Sequence, residues 1–146
     1  MIDEKLLKEV TEKAQIWLGE GYDPETKAEV KKMLDNEDKT DLVESFYKTL
    51  EFGTGGLRGI MGAGTNRMNI YTVGSATQGL ANYLKEAFPH LDQIKVVVGH
   101  DVRNNSRKFA ETVANVFSAN GIKVCVRERR HTQPGTGRQT VCRLRY

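Results

Sequence analysis

Residues 94–126, IKVVVGHDVRNNSRKFAETVANVFSANGIKVCV, carry the pattern that decides the fold. Ile94–Gly99 is a continuous apolar, β-branched run, as strands of a buried parallel sheet read. Asn104 or Asn105 then caps a helix through Phe109, Val113, Val116 and Phe117, and Asn120-Gly121 supplies its C-cap. Ile122–Val126 is a second short apolar strand. Strand, helix and strand in this order predict parallel pairing through a right-handed crossover, and hence an α/β layered domain.

Working upstream, Val73–Phe88 places Val73, Ala76, Leu80, Tyr83, Leu84 and Ala87 on one helical face and ends at Pro89. Residues 1–50 predict three further helices. Leu6, Leu7, Val10, Ala14, Trp17 and Leu18 form one apolar stripe, stopped by Gly19 and Gly21. Asp23 and Pro24 are an N-cap and a proline at the first helical position, opening a helix to about Leu34. Thr40 or Asp41 caps a third helix through Leu42, Val43, Phe46, Tyr47 and Leu50. All these stripes read as core packing. No internal repeat is present.

Composition sets broad limits. The chain has 146 residues, 38% hydrophobic and 28% charged, ordinary for one globular domain. No apolar run approaches the roughly 20 residues of a membrane span. The N-terminus MIDEKLLKEV has no apolar core of a secretory signal, so a cytoplasmic location and no membrane partner are expected. Cys125 and Cys142 have neither C-x-x-C spacing nor a His/Cys cluster around them, so neither zinc nor a disulfide is expected. The net charge of +3 is uneven. Residues 1–126 are slightly acidic, whereas residues 127–146 set six arginines against Glu128. The basic pI belongs to the last twenty residues, and the body has no basic stripe with interleaved aromatics, so nucleic acid is not an expected partner.

Two segments carry chemistry. Residues 52–66, FGTGGLRGIMGAGTN, contain glycine at 53, 55, 56, 59, 62 and 64. Such density is expected where φ is positive or where backbone must approach a ligand closely. Gly55 and Gly56 can turn backbone N–H groups toward an anion, and Arg58 offers a bidentate fork to phosphate. A tight hairpin with a solvated arginine accounts for the same residues. Extended pieces at Leu57–Met61 and Arg67–Tyr71 are expected to pair as that hairpin. The second segment, GHDVRNNS at 99–106, follows the apolar strand, where ligands gather in open α/β sheets. Asp101 and Arg103 fit either a ligand loop or a brace within the loop. His100 has no visible partner for acid–base or metal chemistry.

The run EFGTGGLRGIMGAGTNRMNIYTV at 51–73 resembles the opening of the α-D-phosphohexomutase family, above all its longer bacterial phosphoglucomutase branch. GHDVRNNS resembles that family's G-x-D-x-R-x-x-S loop. The resemblance covers roughly residues 1–126. It implies a three-layer α/β/α domain with a mixed, mostly parallel sheet (51–126), preceded by an N-terminal helical extension (1–50). Members of the family are four-domain enzymes that interconvert hexose 1- and 6-phosphates through a phosphorylated serine, with Mg²⁺ held by an aspartate loop. Arg58 matches the family arginine at the active-site phosphate, with Gly55 and Gly56 beside it. Asp101 and Arg103 match the loop that supports the serine loop. The resemblance places glucose or mannose phosphate ahead of a phosphopentose.

This chain departs from the pattern in what it lacks. It has no T-A-S-H-N-P serine loop, no D-G-D-G-D-R metal loop and no G-E-E-S-G-H sugar loop. Ser45, Ser75, Ser106 and Ser118 have no following histidine. No catalytic residue is therefore assigned, no Mg²⁺ is expected in this fragment, and turnover would require the C-terminal domains of the complete enzyme. Residues 127–146 read as an atypical basic tail, from a frameshift near Val126 or a disordered appendage, with 130–146 poorly packed. A sheet that stops early would leave an open edge for self-association. Two rival readings remain: a sugar-phosphate binding module without chemistry, using the same loop with only weak affinity for hexose phosphate, and a nucleic-acid binder acting through the arginine tail.

Overall fold

The computed structural model describes residues 3–54, 56–128 and 143–145, the last three as backbone. The chain divides into two compact units, Met1–Thr72 and Val73–Tyr146.

The first unit begins with helices α1 (Glu4–Ile16), α2 (Pro24–Asp35) and α3 (Thr40–Phe46). Each start has a local cause. Asp3 caps α1, accepting from the Lys5 N–H at 3.1 Å. Asp23 caps α2, its carboxylate accepting from the Thr26 N–H at 2.9 Å and the Thr26 hydroxyl at 2.7 Å, with Pro24 next in line. The start of α3 differs from expectation. Lys39 occupies the cap position without a side-chain cap bond, its Nζ donating instead to Leu34 C=O at 2.6 Å, and Asp38 accepts from both the N–H and the hydroxyl of Thr40. Val10, Ala14, Trp17, Val30, Met33, Leu42 and Phe46 form one buried cluster, joined by Ala63. Trp17 is its hub, stacking on Tyr22 at 4.7 Å and meeting Phe46 and Tyr71 edge-on at 5.5 Å each. Leu18 and Tyr47, expected inside, are exposed.

The expected hairpin forms elsewhere. Strands β1 (Phe52–Gly53) and β2 (Gly56–Leu57) pair antiparallel across the turn at position 54. Residues 57–61 and 67–71 share only the Met61–Met68 bridge, because Ile70 already begins helix α4 (Ile70–Ala87).

In the second unit, β3 (Lys95–His100) and β4 (Lys123–Glu128) pair in parallel on either side of α5 (Ser106–Ala119). Helix α5 ends as its sequence predicts. Gly121 takes φ +74°, its N–H donates to Ser118 C=O at 3.0 Å, and the Ile122 N–H donates to Phe117 C=O at 3.0 Å. The backbone of β5 (Arg143–Arg145) pairs antiparallel with β4, so the sheet is mixed, in the order β3-β4-β5. Of the tail expected to be poorly packed, only the backbone of Arg143–Arg145 is described, as β5, and the remainder of 130–146 lies outside the described residues. Cys125 on β4 is disulfide-bonded, which corrects the expectation of reduced thiols; β5 brings the C-terminal chain back alongside it, with Leu144 opposite Cys125.

Helix α4 turns a different face inward from the one its large residues suggest. Val73, Thr77 and Ala81 are buried and Leu84 packs beside them, while Leu80 and Tyr83 are 49% and 62% exposed. The inner line is the one with small residues. A Cβ on Gly74 would stand 3.7 Å from Thr112 and 3.9 Å from Val116 of α5, and fully buried Ala81 shares a cluster with Ala114 and Phe117. Close packing selects volume that fits over volume that is merely apolar. Tyr83→Ala should therefore shift stability by no more than about 0.5 kcal/mol, whereas Ala81→Leu should cost about 1–3 kcal/mol in urea unfolding. Equal losses would restore the other face.

Asp23 and Tyr71 tie α2 to the start of α4 within the first unit. The Tyr71 hydroxyl donates to the Asp23 carboxylate at 2.6 Å and accepts from the Asp23 N–H at 2.7 Å. The tyrosine hydroxyl, followed by the Thr26 N–H and hydroxyl, holds the Asp23 carboxyl well below the carboxylate range. Burial, then the hydrogen bond to Asp23, pushes the Tyr71 hydroxyl up. Because the carboxyl is depressed in the folded state, its stabilisation is whole above the ordinary value of 3.8 and is lost as pH falls below it. Tyr71→Phe should flatten that acid limb in urea titrations run at successive pH values. Identical acid limbs for variant and parent would refute the assignment.

Candidate functional site

The glycine segment has a fixed half and an open half. Its C-terminal half is anchored to the preceding helices. Arg67, buried, donates from Nε to Ser45 Oγ at 3.0 Å and from Nη2 to Asp41 Oδ1 at 2.8 Å, with Glu44 at 3.6 Å. Asn69 donates from Nδ2 to the carbonyls of Gly62 and Gly64, each at 2.9 Å. Its Oδ1 accepts from the N–H groups of Tyr71 and Thr72, so one side chain gathers the loop and opens α4. Glu29 Oε1 accepts from the Ala63 N–H at 3.0 Å, and Ser45 C=O accepts from the Asn66 N–H at 2.9 Å. Gly64 is required here: it takes φ +126°, and a Cβ would collide with the Ser45 carbonyl.

The N-terminal half stands free of these anchors. Gly56 takes φ +103° at the start of β2, with open space where a Cβ would be. Arg58 follows β2 directly. Its side chain is exposed and makes no hydrogen bond or ion pair among the described residues. Phe52 and Ile60 near it are also exposed. Gly55 lies outside the described residues. The chemical capacity of this half is a guanidinium with its donors uncommitted, next to a left-handed glycine.

Asp101 and Arg103 are brought together within the second unit, as a brace. Asp101 Oδ1 accepts from the Arg103 N–H at 3.1 Å and Oδ2 from Arg103 Nε at 2.7 Å, while the Asp101 N–H donates to Ser106 Oγ at 3.2 Å. The Arg103 N–H, aided by the Ser106 hydroxyl and the Arg103 guanidinium, holds the Asp101 carboxyl below its ordinary range against the opposing effect of desolvation. Asn105 caps α5 in the left-handed region, φ 61°, without a side-chain cap bond. His100 Nδ1 lies 3.1 Å from the Asp101 carbonyl. The brace closes the turn from β3 into α5, and the Arg103 side chain, 85% exposed, keeps its terminal donors facing water.

No group of three His, Cys, Asp or Glu side chains among the described residues could hold a metal ion. The Mg²⁺ that the family resemblance implies for complete enzymes finds no donor set here: Asp41 and Glu44 face Arg67, and Asp101 is held by Arg103. Nor is any helix among the described residues long and apolar enough to cross a membrane.

A family model described as phosphoglucomutase/phosphomannomutase, alpha/beta/alpha domain I, matches residues 49–134. The chain belongs to this family. The match takes in both chemical segments and runs past Val126. Among curated relatives, a phosphoribomutase of Saccharomyces cerevisiae is 40% identical over 109 residues, covering 75% of this chain and 17% of the relative. A phosphopentomutase of Mus musculus is 40% identical over 114 residues, 74% of this chain and 18% of the relative. A phosphoglucomutase of Staphylococcus epidermidis is 35% identical over 105 residues, 72% and 19%. The chain thus spans about a fifth of the length of the curated relatives it matches. No solved structure matches the chain.

Sequence reading missed Arg67 and Asn69, the residues that hold the glycine segment. The signal for Arg67 was present in Asp41 and Glu44, two acids three apart on a predicted helix, and in an arginine that is the one charge in the stretch 59–73. Arg67→Lys should lower stability by about 1–3 kcal/mol, because one ammonium cannot reach the serine and the carboxylates as a planar fork does. Urea unfolding of variant and parent measures this, and an unchanged midpoint would contradict it.

Proposed function

We propose that this chain forms the opening of domain I of a sugar phosphomutase and presents Arg58 to the phosphoryl group of a sugar phosphate. In the complete enzyme the reaction is intramolecular transfer of phosphate between C1 and C6 of a hexose by way of a phosphoserine. The serine would come from chain beyond these 146 residues, since none of the serines here is followed by a histidine or lies in a T-A-S-H-N-P loop. The phosphoribomutase and phosphopentomutase relatives make a pentose phosphate as good a candidate as glucose or mannose phosphate. The complete domain is a three-layer α/β/α sandwich, of which the sheet β3-β4-β5 and helices α4 and α5 are part.

One observation carries the reading. Arg58 follows the β1–β2 hairpin in a glycine segment whose far half is anchored by the bonds of Arg67 and Asn69, yet its own guanidinium has no partner among the described residues. Phosphoryl transfer is catalysed largely by positioning and by charges fixed in advance of reaction. An uncommitted guanidinium on an anchored base supplies both: its fork matches two phosphate oxygens, and the N–H of Gly56 is free of any Cβ that would keep a phosphate at a distance. The Asp101–Arg103 brace then acts as a positioning element that fixes the end of β3, where the serine loop would rest.

Isothermal titration of the chain with glucose 1-phosphate and with ribose 1-phosphate tests this. Arg58→Ala should weaken binding about fivefold, the effect of one exposed charge pair, and the purified chain should isomerise neither sugar. Equal affinity for parent and variant would remove Arg58 from the site. Unaided turnover would remove the need for a serine from elsewhere.

A further inference from the structure

We infer that Asn120-Gly121 is a deamidation site held closed by the fold, and that a latch of side-chain amides between α4 and α5 controls its reaction. The inference is independent of the sugar-phosphate reading. This is the one Asn-Gly pair in the chain. In the reaction the backbone nitrogen of Gly121 attacks Asn120 Cγ and loses its proton to solvent. The Cγ–Nδ2 bond breaks and ammonia leaves. Water then opens the cyclic imide at either carbonyl, leaving aspartate or isoaspartate at position 120. A glycine after the asparagine favours ring closure, because no side chain hinders its nitrogen. The end of α5 requires that same glycine: Gly121 takes φ +74°, a conformation that side-chain-bearing residues rarely adopt. The helix cap and the labile pair are thus one feature.

The folded geometry opposes every part of the attack. Ring closure needs the Gly121 nitrogen on the side of Asn120 Cβ, but ψ 7° at Asn120 turns it toward Asn120's own nitrogen. The Gly121 N–H is engaged, donating to Ser118 C=O at 3.0 Å. The Asn120 amide is held at both ends. Its Nδ2 donates to Val116 C=O at 2.9 Å and to Gln78 Oε1 at 2.8 Å. Its Oδ1 accepts from Gln78 Nε2 at 3.0 Å and from Lys85 Nζ at 3.1 Å. Gln78 is itself steadied by Asn82, whose Oδ1 accepts from Nε2 at 2.9 Å. All these residues belong to the second unit. Reaching the reactive geometry breaks the bonds together, so the reaction runs only from a locally opened end of α5. The product does not latch again in the same way. A carboxylate at 120 only accepts, so Val116 C=O loses its side-chain donor. Isoaspartate adds a methylene to the backbone where the Gly121 and Ile122 N–H groups close the helix. Because ammonia has left, the release of α5 from α4 is one-way.

Mass spectrometry of the 146-residue chain, incubated at neutral pH in buffer and in concentrated urea, tests the inference, with peptide mapping to place the amide-to-acid change. The parent should react at Asn120 before any other asparagine, and far more slowly in buffer than in urea. Asn120→Gln should abolish that change. Gln78→Ala removes two of the four latch bonds and should speed the reaction in buffer about tenfold, leaving the rate in urea unaltered, with circular dichroism confirming the fold. Lys85→Ala removes one bond and should give a smaller acceleration. Tyr83→Ala, on the same helix but outside the latch, should react at the parent's rate. Equal rates for the parent in buffer and urea, an earlier change at another asparagine, no acceleration by Gln78→Ala, or equal acceleration by Tyr83→Ala would each overturn the inference.

Discussion

A glycine-dense segment cannot hold its own shape. It has few side chains to pack, and each glycine surrenders more backbone freedom on ordering than any other residue. Order at residues 59–69 must therefore be imposed by neighbours, and the neighbour that imposes most is Arg67. Its buried guanidinium joins the segment to Ser45 inside the helical cluster and to Asp41 at the surface. Burying a guanidinium is costly unless its donors are satisfied. The serine and the two partly exposed carboxylates meet that requirement, so the arginine is stable only with the segment docked.

This dependence gives the first three helices a purpose beyond their own core. Ser45 supplies a hydroxyl to Arg67, a carbonyl to the Asn66 N–H, and the surface against which Gly64 lies with no room for a Cβ. Glu29 of α2 reaches the Ala63 N–H, and Ala63 enters the same buried cluster as Trp17 and Phe46. The helices and the glycine segment form one compact unit because each half completes the other's hydrogen bonds.

What the sequence made legible follows range. Caps and stops that act over three or four residues, such as Asp23-Pro24 and Asn120-Gly121, could be read directly, since their partners are adjacent in the chain. The strand–helix–strand order of β3, α5 and β4 was equally local. The inner face of α4 was not, because Leu80 and Tyr83 look more like core than Thr77 and Ala81 until the neighbouring helix dictates which volumes fit. The hairpin was misplaced by a few residues because glycine permits a turn at many points and indicates none of them. For the candidate site, residue types alone made Arg58 and the Asp101–Arg103 pair candidates. Arg67 and Asn69 stayed hidden, since the meaning of Arg67 depends on residues 22 and 26 positions earlier in the chain.

Arg58 and Arg67 share one segment and one chemistry, and their surroundings separate them. Arg67 has given up water for fixed oxygen partners and is spent as a structural tie. Arg58 is exposed and has no oxygen partner among the described residues. An arginine left hydrated beside flexible backbone would ordinarily be unremarkable surface. Here the backbone beyond it is bonded to the preceding helices, and on the proposed reading that lowers the ordering entropy that binding an anion costs. On the proposed reading the buried arginine serves the exposed one, holding the segment with its own donors while those of Arg58 stay open.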